Sequence, residues 1–98
     1  MGKFTICVIY TAKDCMSRNA FVNELKQEGI LASIRAENGC LAYEYYNSIE
    51  DEKKLVLFEE WESKECQQIH MTQPHMKTAM DIKAKYIEKA EIKQIRML

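Results

Sequence analysis

The run Lys3–Thr11 is rich in Phe, Ile, Val and Tyr, and it alternates as a strand does. Phe4, Ile6, Val8 and Tyr10 fall on one face, and Thr5, Cys7 and Ile9 on the other. Both faces are largely apolar, the pattern of a central strand covered on each side. That requirement is severe for a chain of 98 residues, which has length for one domain, residues 1–98, and for one modest core.

From Asp14 the period becomes helical. Met16, Ala20, Phe21, Leu25, Leu31 and Ile34 recur along one stripe, with Asp14 or Ser17 as N-cap. Gly29 predicts a kink or a break between two helical pieces, and Asn38-Gly39 predicts a turn. Cys40–Ile49 and Lys54–Trp61 read as strands, joined into an antiparallel hairpin by Glu50-Asp51-Glu52-Lys53. Ser63 is placed to cap a second helical stretch that puts Cys66, Ile69 and His70 on one face. Pro74 starts a further piece in which Met76, Ala79 and Met80 repeat helically. Glu88–Leu98 alternates again and reads as a last, half-exposed strand.

The order strand, helix, strand, strand, helix, strand predicts an α+β, ferredoxin-like βαββαβ fold: a four-stranded antiparallel sheet with its helices on one face. Two helical stretches on one side leave the other sheet face bare, although its residues are apolar. The economical solution is a homodimer packed sheet to sheet.

Charge narrows the function. Fourteen basic against fifteen acidic residues leave a net charge of −1, without the basic surplus that nucleic acid or an anionic membrane requires. No apolar run approaches the roughly 20 residues of a membrane span, and Met1–Tyr10 is too short for a signal peptide, so a cytoplasmic protein is expected. Cys7, Cys15, Cys40 and Cys66 are widely spaced, contain no CxxC, and read as free thiols in that compartment.

Three groups of residues carry candidate chemistry. Glu59 and Trp61 share a strand face with Leu55 and Leu57, so the Glu59 carboxylate either lines a polar cavity or reaches solvent at the strand end. Trp61 is either core or a flat wall for an aromatic ligand. His70 faces the sheet and is either a hydrogen-bonded core residue or a general base, with His75 near enough to complete the same pocket. Cys66, His70 and His75 also raise a metal reading, but no second close-spaced ligand pair accompanies them, which argues against a dedicated zinc site. Tyr43 and Tyr45 project to one face of their strand and Tyr46 to the other.

Two segments carry a family resemblance. Glu37-Asn38-Gly39-Cys40-Leu41-Ala42-Tyr43 resembles the E-x-G-C-x-x-Y segment of the antibiotic biosynthesis monooxygenase (ABM) domain family. Phe58-Glu59-Glu60-Trp61-Glu62-Ser63-Lys64, followed by His70, resembles its E-x-W … H segment. The likeness runs from about Lys3 to Ile95. It implies a dimeric α+β barrel with a cavity between sheet and helices in each subunit. It also implies a quinol-type monooxygenase needing neither flavin nor metal, an enzyme processing the autoinducer-2 signal, or a haem-degrading enzyme. The matching positions are Glu59, Trp61 and His70, with Tyr43 beside the turn. The haem-degrading branch resembles a triad of Asn on the first strand, Trp on the third and His on the second helix. Here the first strand offers no Asn, which argues against haem degradation.

The expected activity is oxidation of a small phenolic or quinol-like substrate by O₂ with no cofactor. His70 is the base, Glu59 orients it or shares its proton, Trp61, Tyr45 and Tyr43 bound the substrate, and His75 is a secondary polar contact. The alternatives are a small-signal enzyme, which would want a cationic anchor that no pattern places in the pocket, and a non-catalytic dimeric ligand-binding domain.

Overall fold

The doubly apolar N-terminal run becomes β1 (Phe4–Ala12), an inner strand of a four-stranded antiparallel sheet. A computed structural model describes residues 2–95. It continues through α1 (Cys15–Gln27), α2 (Ile30–Arg35), β2 (Cys40–Asn47), β3 (Lys54–Trp61), α3 (Lys64–His70), α4 (Pro74–Tyr86) and β4 (Ile87–Ile95). The strand order is β2-β3-β1-β4, and the fold is the ferredoxin-like α+β arrangement. The end of the last predicted strand, Arg96–Leu98, lies outside the described residues. Among the described residues no helix is long and apolar enough to cross a membrane.

Each predicted helical stretch is divided in two, for local reasons. Asp14, not Ser17, caps α1, accepting the Ser17 backbone N–H at 2.7 Å. Gly29 then takes φ +73°, a left-handed conformation that ends one helix and opens the next. Ser63 caps α3 by accepting the Cys66 N–H at 3.2 Å, and Pro74 occupies the first turn of α4, where a missing N–H costs nothing.

The core lies between the helices and one sheet face. Ile6, Val8, Tyr10 and Ala12 of β1, Tyr43 of β2, and Leu55, Leu57 and Trp61 of β3 meet Phe21, Leu25, Leu31, Ile34, Met76 and Ile82 from the helices. Three residues assigned to buried stripes point outward instead: Met16, Ile69 and Met80 are 79%, 59% and 57% exposed. At about 100° per residue, Met16 sits roughly 140° around the helix from Phe21, and Ile69 roughly 100° from His70. On the opposite sheet face Cys7, Ile9, Val56 and Phe58 are half-buried and Tyr46 is exposed. Cross-strand register sets Cys7 against Phe58 and Ile9 against Val56.

Gly39 makes the contact on which the site depends. It holds φ +85°, and its carbonyl accepts the Glu62 N–H at 2.8 Å. A Cβ there would lie 2.5 Å from Cys66 Sγ and 2.9 Å from Cys66 Cβ. Only glycine lets the loop before β2 run directly along α3. Gly39→Ala is therefore expected to destabilise the protein by about 1–3 kcal/mol in urea unfolding; an unchanged midpoint would contradict this contact.

Candidate functional site

Glu37 follows α2 in a tight turn, its N–H bonded to the Ile34 carbonyl at 3.0 Å. His70 is the last residue of α3, and His75 the second of α4. The turn carries the Glu37 carboxylate onto both rings. His70 Nδ1–H donates to Glu37 Oε2 at 2.9 Å, with Oε1 3.2 Å away, and His75 Nε2–H donates to the same Oε2 at 2.7 Å. His70 is 1% exposed and packs against Trp61 and Tyr43, at ring-centroid distances of 4.7 and 5.6 Å. With Nδ1 committed to Glu37, Nε2 is the ring nitrogen left to meet a ligand.

That ligand has a place to sit. Between the sheet and the helices is a cavity of about 300 Å³, at the small end of ligand sites. Its apolar walls come from Ile6, Val8, Phe21, Leu25 and Ile34, and its polar groups are Tyr10, Tyr43, Tyr45, Glu59, Gln67, His70 and Lys83. The mouth is rimmed by Met71, Met80 and Ile92, all at least half exposed. Ile92 lies on the helix-facing side of β4, across from Val8, yet is 70% exposed, so this end of the sheet has no helix over it.

Burial decides the protonation of the cavity's polar groups. It pushes the phenols of Tyr10, Tyr43 and Tyr45 above their ordinary value, so they remain O–H groups. Glu59 is 5% exposed, and desolvation raises its carboxyl as well. The Trp61 Nε1–H, donated to Glu59 Oε1 at 2.9 Å, and the nearby His70 oppose that rise, while the charge of Glu37 adds to it. The Lys83 ammonium lies 5.7 Å from the Tyr10 ring centroid.

Of the six residues singled out from the sequence, Glu59, His70, Tyr43 and Tyr45 line the cavity. Trp61 does not. It is fully buried behind His70 and acts on the cavity through its bond to Glu59 and its packing against the His70 ring. His75 is not a lining residue either, because Glu37 draws its ring away behind His70. Nor does Glu59 hydrogen-bond His70; the group that orients this ring is Glu37, which the sequence pattern quoted but gave no role. Thirty-three residues separate Glu37 from His70, beyond any helical or strand period. Tyr10, on the same face of β1 as Ile6 and Val8, and Lys83 also line the cavity.

Comparison with known proteins agrees with this architecture. The model of the antibiotic biosynthesis monooxygenase family matches residues 17–82, more than half of the chain. No curated protein is a significant match to the sequence. A Pseudomonas aeruginosa protein superposes with TM-score 0.82 at 20% identity, covering 100% of this chain and 96% of its own. A Nitrosomonas europaea protein, described as a candidate antibiotic biosynthesis monooxygenase, gives 0.83 at 23% identity, with 100% and 93% covered. A Mycobacterium tuberculosis protein gives 0.82 at 21%, with 99% and 96% covered. At these identities the likeness is one of fold.

The raised Glu59 carboxyl has a consequence for stability. The native chain holds this proton more tightly than the unfolded chain, so between the ordinary Glu value of about 4.3 and the raised one the native state binds more protons. Glu59 therefore lowers stability as pH rises through that window. Glu59→Gln keeps an acceptor for Trp61 and removes the titration. In urea unfolding, the variant should gain on the wild type from pH 4 to pH 8; a difference constant across that range would contradict the raised value.

Proposed function

The chain belongs to the antibiotic biosynthesis monooxygenase family, and we propose that it oxidises a small phenolic or quinol-like molecule with O₂, the substrate supplying all the electrons. The observation that supports this most is a small, mainly apolar cavity bordered by one histidine whose Nδ1 is anchored on a carboxylate. His70 Nε2 takes the phenolic proton, and the resulting anion reduces O₂ in a space that restricts water. For a phenol, the ring C–H para to the hydroxyl becomes a carbonyl. One oxygen atom stays in the quinone, the other leaves as water, and the four electrons come from the ring. Tyr43 and Tyr45 contact the substrate, and Glu59 exchanges a proton with the developing oxygen. Glu37 positions His70.

Lys83 supports a second reading. It is a cation at the cavity, the anchor that a small anionic signal molecule would use, and no periodicity placed it there. A substrate carrying a carboxylate or phosphate fits that reading.

The protein acts, on this proposal, as a homodimer that covers the apolar sheet face of Cys7, Ile9, Val56 and Phe58. In analytical ultracentrifugation it should sediment at twice the monomer mass of 11.5 kDa. Phe58→Lys, which sets a charge in the middle of that face, should yield monomers. A wild-type monomer would overturn this part.

Oxygen consumption by metal-stripped protein, measured against a panel of hydroxylated aromatics, tests the activity. His70→Ala should lower turnover about 10²–10⁴-fold with the fold intact. Uptake unchanged in that variant would remove His70 from the mechanism. Silence across the panel, with binding of anionic ligands abolished by Lys83→Ala, would favour the second reading.

A further inference from the structure

Behind His70, on the side away from the cavity, two imidazoles converge on one carboxylate. The ligand-type atoms of Glu37, His70 and His75 all lie within 4.8 Å of one another. We infer that these three residues bind a divalent transition-metal ion of zinc's borderline softness, in a site separate from the substrate cavity.

The donor chemistry is selective. Two imidazole nitrogens and one carboxylate form the protein half of an open zinc or ferrous site, which keeps its remaining positions for water. Such a set discriminates against Mg²⁺, which prefers oxygen ligands. The spacing also suits an ion. Glu37 Oε2 lies 2.9 Å from His70 Nδ1 and 2.7 Å from His75 Nε2. In a tetrahedral site, ligands about 2.0–2.2 Å from one ion sit roughly 3.3–3.6 Å apart, so insertion moves the carboxylate off each ring nitrogen by about half an ångström and replaces both N–H···O bonds.

Preorganisation comes from the fold. Glu37 and His70 are 10% and 1% exposed, each on backbone held in place, the loop by Gly39 and the helix end by Trp61 and Tyr43 packing. His75, at 23% exposed on the first turn of α4, provides the way in from solvent. A thiol on the same helix as His70, Cys66, is half-buried and hydrogen-bonded to Ser63 Oγ at 3.3 Å.

Occupancy would act on the cavity through one ring. Without metal, the Glu37 carboxylate holds the His70 proton on Nδ1, and Nε2 offers a lone pair. An ion on Nδ1 leaves the neutral ring's proton on Nε2, so His70 presents an N–H donor to the cavity instead. The ion thereby switches off a base without touching the substrate. This consequence rests on the role proposed for His70; binding of the ion does not.

Titration calorimetry of reduced, metal-stripped, full-length protein with ZnCl₂ tests the site, with the histidine-ring ¹H–¹⁵N spectrum as second readout. One Zn²⁺ per chain should bind. His75→Ala, a half-exposed position whose metal-free melting temperature reports that the fold is kept, should weaken binding at least about tenfold, as should Glu37→Gln. Cys66→Ser should leave binding unchanged, and MgCl₂ should give none. In the spectrum, His70 Nδ1 and His75 Nε2 should both shift, with the His70 proton moving to Nε2. Absence of stoichiometric zinc binding, binding that survives His75→Ala, or binding lost in Cys66→Ser would overturn the assignment. None of these readouts depends on oxygen uptake, so failure of the monooxygenase reading would be seen separately.

Discussion

One carboxylate oxygen, Glu37 Oε2, receives hydrogen bonds from two imidazoles on different helices, and the rest of the site is arranged around it. A carboxylate this buried needs partners, because leaving it bare in an apolar surrounding costs several kcal/mol. His70 and His75 meet that need, and in doing so their ring orientations are set. The loop can bring Glu37 this close only because Gly39 has no side chain to strike Cys66. A glycine in a turn thus determines which nitrogen of a buried histidine is left for chemistry.

The site has a second carboxyl, Glu59, which lines the cavity as Glu37 does not, and its environment differs in kind. Glu59 accepts from Trp61 and is desolvated, which favours its protonated form. Glu37 shares its charge with two rings instead. Placing two carboxyls in contrasting surroundings is a common way to give one a positioning task and the other a proton to hold or return. On the proposed mechanism His70 stands between them, fixed by the first and assisted by the second, while the three neutral tyrosines supply hydroxyls without charge.

Much of the fold was legible because it rests on short-range rules. The alternation of Lys3–Thr11 identified a central strand, and Gly29, Ser63 and Pro74 each marked a helix boundary for a stated backbone reason. Helical angle turns Met16 and Ile69 outward from their apolar series, while Met80, only about 40° from buried Met76, is exposed at the cavity mouth. The site was half legible. Period-two geometry put Glu59 inside, and helical spacing put His70 against the sheet. It could not show that Trp61 stands behind His70 rather than in the cavity wall, nor that His75 turns away from the cavity. The second outcome depends on Glu37, which joins the site from the loop before β2 and leaves no local signature.

The account turns on which nitrogen of His70 is protonated, and the histidine-ring ¹H–¹⁵N correlation spectrum of metal-free protein reads that directly. The account predicts a proton on Nδ1, facing Glu37, and an unprotonated Nε2 toward the cavity, with this pattern lost in Glu37→Gln. A proton on Nε2 with Nδ1 bare would contradict it.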